Sequence, residues 1–270
     1  SVILNLLLLS CIFSVSHKQS SADDIHKVYS PYKIEEQKIV LDGVLNENQW
    51  EDAPVIVDFI QLDPSFNSNP SQNSEVKIIY DNDNIYFGVT LYDLPKNISY
   101  KNGGYDDFEN IFFENSDYFI IEIDSHYDRN NSYGFAINAS NVQSDYTIYD
   151  NEFFDDNWDG VWYSEISVSN QSWVIECKIP INNLRFDNES NLSMGINFMR
   201  YIKRNDEYIS WALLPYNESD EIVSHYGEIN NLNFDIKKYF SVRTNIYSQK
   251  INYDDLFYFT LLDDSGNIDG

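Results

Sequence analysis

The sequence predicts an all-β fold, an antiparallel β-sandwich of jelly-roll or immunoglobulin-like type with a few short helical turns. Three observations carry that expectation. Aromatic residues make up 16% of the 270 residues, with 21 Tyr and 17 Phe, and aromatic side chains favour strands. From Val40 onward, short apolar runs alternate with Asp/Asn/Gly/Ser clusters, the pattern of strands separated by turns. Helix signals are few, and no repeat at a fixed period is visible.

The elements follow in chain order. Residues 1–22 read as a secretory signal whose charged n-region is missing. The run Val2 to Val15 is apolar apart from Asn5, Ser10, Cys11 and Ser14, too short for a comfortable membrane-spanning helix. A lipoprotein signal ending at Cys11 is the rival reading, and the apolar Ile12-Phe13 after it argues against lipidation. A core segment is a third reading. Residues 23–38 are mostly polar and read as a linker. Glu47 to Ala53 forms one short helical turn. Val76 to Tyr80 and Ile85 to Tyr92 flank the turn Asp81-Asn82-Asp83-Asn84, which predicts a hairpin. Further strands are expected at Tyr118 to Asp124, Tyr133 to Asn138, Tyr163 to Val168, Ser172 to Ile179, Met194 to Ile202 and Tyr208 to Leu213. Their spacing, roughly 8–20 residues, suits a sandwich. Pro180 to Leu184 reads as a second short turn, with Pro near its start. The sandwich is expected over residues 39–232. Residues 233–270, with strands at Tyr239 to Ile246 and Phe257 to Leu262, read as the start of a following, truncated domain.

Charge removes several function classes. With 44 Asp+Glu against 17 Lys+Arg, the formal net charge is -27. Clustered cations for phosphate contacts are missing, so nucleic acid is excluded as a partner, and so is an anionic membrane surface. There are four His and two Cys, with no G-x-S-x-G elbow and no supported Cys–His pair, which argues against a hydrolytic triad and against zinc. Carboxylates are too abundant for any two to stand out as a glycosidase pair. Once the signal is removed, Cys177 is alone, and alternation places it with Trp173 and Ile175 on one face as a buried, inert thiol. The N-x-S/T sequons at Asn97, Asn130, Asn138, Asn170, Asn188, Asn191 and Asn217 carry little weight in a chain so rich in Asn and Ser.

Two chemistries remain. Calcium takes six to eight oxygen ligands, and the loop Asp155-Asp156-Asn157-Trp158-Asp159-Gly160 offers several. Asp124 and Asp128, with Asn130 and Asn131, form a second candidate; neither follows the EF-hand order, and solvated Asx turns are the plainer reading. Sugars stack their C–H faces on aromatic rings and bond to polar neighbours. Trp158, Tyr163, Tyr105 and Phe113 fall beside polar loops where such a platform could form. Trp50, Trp162, Trp173 and Trp211 sit in strand-like surroundings and read as core.

Several motifs then line up in order. Leu41-Asp42-Gly43-Val44-Leu45-Asn46-Glu47 followed by Trp50 resembles the opening I-D-G-x-x-D-E-x-x-W of family 9 carbohydrate-binding modules. Tyr80-Asp81 with Ile85-Tyr86-Phe87, the strand Asp117 to Asp124, Trp173 to Pro180, Ile209-Ser210-Trp211, and Tyr226-Gly227 with Leu232 resemble the segments that follow, over about Ile39 to Leu232. Asn157 to Trp162, Leu184-Arg185-Phe186 and Asn197-Phe198 with Arg200 resemble a subgroup of large exported bacterial proteins. Those carry this module ahead of an outer-membrane β-barrel region. The resemblance implies an antiparallel sandwich, commonly with calcium, that binds sugars at chain ends.

It also marks departures. The family's first clamp Trp is matched by Phe113. The second falls in Asp220 to His225, which holds no aromatic residue, with Tyr216 nearby. The pocket Arg is matched by Ala136 and the pocket Glu by Ile120. The resulting expectation is an exported, non-catalytic module, periplasmic or at the outer membrane. It would bind a polysaccharide or oligosaccharide through Phe113, Trp158, Tyr105 and Tyr216, and a structural Ca2+ through Asp155, Asp156, Asp159 and Asp128, as part of a carbohydrate catabolism protein. The alternative is a structural or interaction domain fused to an outer-membrane barrel, with sugar binding lost. A third, weaker reading is a glycosidase fragment whose catalytic domain lies elsewhere.

Overall fold

The computed structural model describes residues 26–35, 39–104, 115–186, 191–215 and 222–234. In chain order these form β1 (Val28–Tyr29), β2 (Tyr32–Lys33), α1 (Asn48–Asp52), β3 (Ile60–Asp63), β4 (Ser74–Tyr80), β5 (Asn84–Tyr92), β6 (Tyr118–Asp124) and β7 (Ser132–Asn138). Then come β8 (Gln143–Tyr149), β9 (Phe153–Asp155), β10 (Tyr163–Val168), β11 (Ser172–Pro180), β12 (Leu192–Ile202), β13 (Glu207–Ser210) and β14 (Gly227–Leu232). One sheet has nine strands in the order β1-β14-β12-β6-β7-β8-β9, with β13 pairing β12 and β3 pairing β13. The other has five, β10-β11-β5-β4-β2. Most pairings are antiparallel; β1 joins β14 and β2 joins β4 in parallel.

The strands expected between residues 76 and 202 form, with shifts of no more than two residues at their ends. The β4–β5 turn closes because Asp81 Oδ1 accepts the amides of Asp83 and Asn84 at 2.8 and 2.7 Å, an Asx turn. Three differences have physical reasons. The described part of the segment expected as a linker supplies β1 and β2, one edge strand to each sheet, and such two-residue strands carry no readable period. The strand expected over Tyr208 to Leu213 ends at Ser210, because Asn197 Oδ1 captures Ser210 Oγ and the amide of Ala212. Three strands, β3, β8 and β9, were not expected; they are short or polar, and their partners supply the pairing. The signal-like run and residues 235–270 lie outside the described residues.

Strand alternation builds the interior. Phe119, Ile121 and Ile123 of β6 face the second sheet. Phe198 of β12 packs between Phe119 and Phe87 of β5, with ring centroids 6.0 and 6.1 Å away. Trp50, Trp162, Trp173 and Trp211 are all buried, as is Cys177, whose thiol is pushed up by burial.

Two buried charges tie distant segments together. Glu176 of β11 accepts the amides of Asp42 and Gly43 at 2.8 and 2.9 Å and the Trp50 indole N–H at 3.2 Å. Gly43 adopts φ +77, and a Cβ there would meet the Ile166 backbone at 2.5 Å, so only glycine fits. The opening motif and the Trp173 motif are therefore one constellation. Arg200 of β12, 1% exposed, donates to Asn73 O, Ser74 Oγ and Tyr92 O across the sandwich. Burial lowers its guanidinium to about 10, with Asp117 and Asp93 opposing the shift. Asp117 in turn is pushed up to about 6 by desolvation, against the Lys203 amide and Arg200.

Replacing Glu176 with Ala leaves two amides and an indole N–H buried without an acceptor, at about 1–3 kcal/mol each in comparable sites. Urea unfolding of Glu176→Ala is expected to show a loss of about 3 kcal/mol or more, with Glu176→Gln losing less; a loss within 0.5 kcal/mol would contradict the role (about the scatter of ordinary surface changes).

The raised Asp117 carboxyl sets a pH dependence. The folded state holds its proton more tightly than the unfolded chain, so this contribution to stability is fully present below the ordinary carboxylate value of 3.8 and is lost as pH rises from there through about 6. Burial raises Glu122 and Glu176 in the same direction. The melting temperature is expected to be higher at pH 5 than at pH 7.5. Asp117→Asn should flatten the slope, by about 1.4 kcal/mol over that interval; an unchanged slope would refute the assignment.

Candidate functional site

The β7–β8–β9 end of the large sheet carries a cluster of exposed aromatic residues. The β8–β9 hairpin reverses through Asp150 and Asn151, both in the left-handed region at φ 53 and 64, where Asp and Asn are the tolerated non-glycine residues. Register pairs Tyr149 with Phe153, Ile148 with Phe154 and Thr147 with Asp155. Alternation places Tyr149 and Phe153 on the same face as Thr147 and its partner Tyr133. The Tyr149 and Phe153 rings stack at 5.5 Å and are 46% and 47% exposed.

Trp158 belongs to this face. Its ring lies 4.9 Å from Tyr133 and 5.7 Å from Phe135, half-buried. The loop that carries it is held by Asp145, which accepts the Trp162 indole N–H at 2.7 Å and the Gly160 amide at 3.4 Å. A Cβ at Gly160 would come within 2.6 Å of the Trp158 ring, so the loop presses the indole onto its glycine. The result is a shelf of two aromatic pairs, Tyr133–Trp158 and Tyr149–Phe153, with Thr147, Asp155 and Asn157 supplying polar groups beside them. Such a surface combines apolar ring faces with hydrogen-bonding neighbours.

The opposite face of the same sheet is closed. Tyr118, Ile120, Ala136, Tyr146 and Tyr201 pack beneath Leu214, Val223 and Tyr226. Glu122 lies among them, fully buried. The Tyr146 hydroxyl donates to its Oε1 at 2.7 Å, and burial pushes the carboxyl up. Ile120 and Ala136, matched to the family's pocket Glu and Arg, are cross-strand partners inside this apolar cluster. Phe154 is the exposed residue at its rim, 60% exposed and 5.3 Å from Tyr146.

The sequence-expected site residues divide accordingly. Trp158 lies on the shelf. Phe113, Tyr105 and Tyr216 lie outside the described residues; Leu214 and Ile222, on either side of Tyr216 in sequence, both pack on the closed face. Tyr163 is on the edge of the other sheet, with Lys178 Nζ 4.5 Å over its ring. Tyr149, Phe153 and Phe154 were missed by sequence reasoning. The signal was present in Tyr149-Asp150-Asn151-Glu152-Phe153-Phe154, two aromatic segments around an Asp/Asn turn.

Of the four carboxylates expected as calcium ligands, two are bonded within their own loops and two are exposed. Asp155 Oδ1 accepts the Asn157 amide and side-chain N–H at 3.1 and 2.8 Å, and these bonds lower its carboxyl pKa. Asp128 accepts the amides of Asn130 and Asn131 at 2.8 Å and Asn131 Nδ2 at 2.7 Å. Asp156 and Asp159 are exposed. Among the described residues, no three His, Cys, Asp or Glu side chains converge to hold a metal.

Known proteins share this fold. A carbohydrate-binding module of family 9 from Caldicellulosiruptor kristjanssonii, in complex with cellotriose, superposes with a TM-score of 0.54 at 16% identity, covering 82% of this chain and 100% of that one. The same organism's module in complex with glucose gives 0.53 at 15%, over 83% and 100%. A candidate carbohydrate-binding protein from Bacteroides uniformis gives 0.61 at 12%, over 76% and 99%. No curated protein matches the sequence significantly. Residues 41–220 match the family described as carbohydrate family 9 binding domain-like, a span that starts at the Leu41-Asp42-Gly43 motif held by Glu176. With that match over two thirds of its length, the chain belongs to the carbohydrate family 9 binding domain-like family.

Proposed function

We propose that this chain binds a glycan without altering it chemically, stacking sugar rings on the shelf of Tyr133, Trp158, Tyr149 and Phe153. The observation that carries the reading is the exposure of paired aromatic rings beside Thr147, Asp155 and Asn157 on a rigid sheet. Family membership supports it, and so does the apolar filling of the family's pocket positions by Ile120 and Ala136, which leaves the aromatic shelf as the open surface. The apolar run Val2 to Val15 supports export as the setting, and carbohydrate catabolism is the matching context. Cellotriose and glucose, present in the Caldicellulosiruptor complexes, make β-glucans the first probes.

The closed pocket positions also favour a second reading, in which the shelf docks a protein beside an outer-membrane barrel. Affinity electrophoresis against soluble polysaccharides separates the two. The wild-type chain is expected to be retarded by at least one polysaccharide. Phe153→Ala and Tyr149→Ala, both at exposed positions, should weaken the interaction about tenfold, or 1.4 kcal/mol, and Trp158→Ala at least as much. Absence of retardation on every polysaccharide, or retardation unchanged by all three substitutions, would overturn the glycan reading.

A further inference from the structure

The chain carries a net charge of -27, yet one cavity of about 300 Å³ is lined by His26, Lys27, Arg129 and His225 and by no carboxylate. In a protein with 44 Asp+Glu, basic side chains gathered without acidic lining run against the overall field. Two of the four have carboxylate partners that do not line the cavity. Lys27 is held by Asp58, and His26 meets Glu228 at 3.2 Å. The other two form no ion pair with a carboxylate among the described residues. Arg129 donates to Tyr226 O and to Tyr127 Oη, and lies 4.3 Å over the Tyr127 ring; no carboxylate forms an ion pair with it among the described residues. The His225 side chain makes no hydrogen bond or ion pair among them.

Arg129 is therefore held in place by neutral acceptors, with Asp124 near its backbone but no carboxylate in direct contact with its guanidinium among the described residues. A guanidinium in that state is suited to a planar oxyanion, which it bonds through two N–H groups at once. The cavity is also larger than a bare ion needs. About 300 Å³ is roughly ten times one water's share of the liquid, ~30 Å³, and falls at the lower end of ligand pockets. Ser224 adds a hydroxyl to the lining.

The cavity and the aromatic shelf are linked through one hairpin tip. Ser224 donates its amide to Asn151 Oδ1 at 2.9 Å, and Asn151, at the β8–β9 tip, donates its own amide to Asn130 O at 2.7 Å. One hairpin tip thus carries Tyr149 and Phe153 on one side and fastens two cavity segments on the other.

We infer that this cavity binds a sugar acid, a pyranose unit whose carboxylate is received by Arg129 and His225, so that the preferred glycan is an acidic one. The inference extends the glycan reading of the shelf, but its test reads the cavity alone. Backbone amide shifts of Ser224 to Gly227 are followed by NMR during titration of the full chain with sodium glucuronate, glucose and sodium sulfate. Glucuronate is expected to give saturable shifts there, glucose none, and sulfate a response at least tenfold weaker. Arg129→Gln and His225→Gln should each weaken glucuronate binding at least tenfold, with the melting temperature of each variant confirming that it is folded. His225→Gln keeps the test decisive if the Arg129 variant unfolds. Sulfate binding as tightly as glucuronate would mean a bare anion site and overturn the inference; so would glucose binding equally, no response to glucuronate, or undiminished binding in the folded variants. None of these outcomes alters retardation by neutral polysaccharides, so the shelf and the cavity fail or stand separately.

Discussion

The unequal width of the two sheets governs where this protein can bind anything. The five-stranded sheet ends at β10, where Ser164 receives hydrogen bonds from Asn141 and Gln143 at the start of β8. The nine-stranded sheet continues to β9. Side chains on the inner face near β10, such as Phe135 and Trp162, are buried. Those farther out keep the same facing but have no second sheet above them. Tyr149 and Phe153 are exposed for that reason, and Trp158 folds back onto Tyr133 to cover part of the gap. The shelf is thus the uncovered end of the sandwich interior, which explains why it is aromatic.

That arrangement depends on the sheets being held in fixed relation, and buried polar groups do this alongside apolar packing. Glu176 gathers the first loop and α1 onto β11, while Arg200 reaches from β12 to the backbone at the ends of β4 and β5. Both are charges removed from water, a costly placement unless their hydrogen bonds are well made. Their reward is directional. Apolar packing lets sheets slide, whereas three donors converging on one carboxylate fix a single position.

The parts of the fold legible in the sequence are those where the pattern is local. Strands β6 and β10 have the expected bounds because alternation and flanking turns mark both ends. The four core Trp residues and Cys177 were placed correctly from strand-like surroundings. Strands β1 and β2 exist through partners 200 or about 50 residues away, and β8, with the polar Gln143-Ser144-Asp145 start, is a strand because β7 pairs with it. No local period records such pairing. The site divides in the same way. Trp158 stood out as a tryptophan among Asp and Asn, whereas Tyr149 and Phe153 become a stacked pair only through hairpin register. The Asp-rich loops suggest calcium because ligand chemistry is visible in sequence; the hydrogen bonds that Asp155 and Asp128 make within their own loops are not.

On the proposed reading, sugar lies on the β7–β9 shelf and not on the opposite face, where Ile120 and Ala136 pack among apolar neighbours. Mapping by NMR with a bound oligosaccharide tests this most directly, because the two faces alternate along the same strands. The account predicts that the largest perturbations fall on Tyr133, Thr147, Tyr149, Phe153, Asp155 and Trp158. Perturbations centred on Tyr118, Ile120, Ala136 and Tyr146 would contradict it and return the binding site to the closed face.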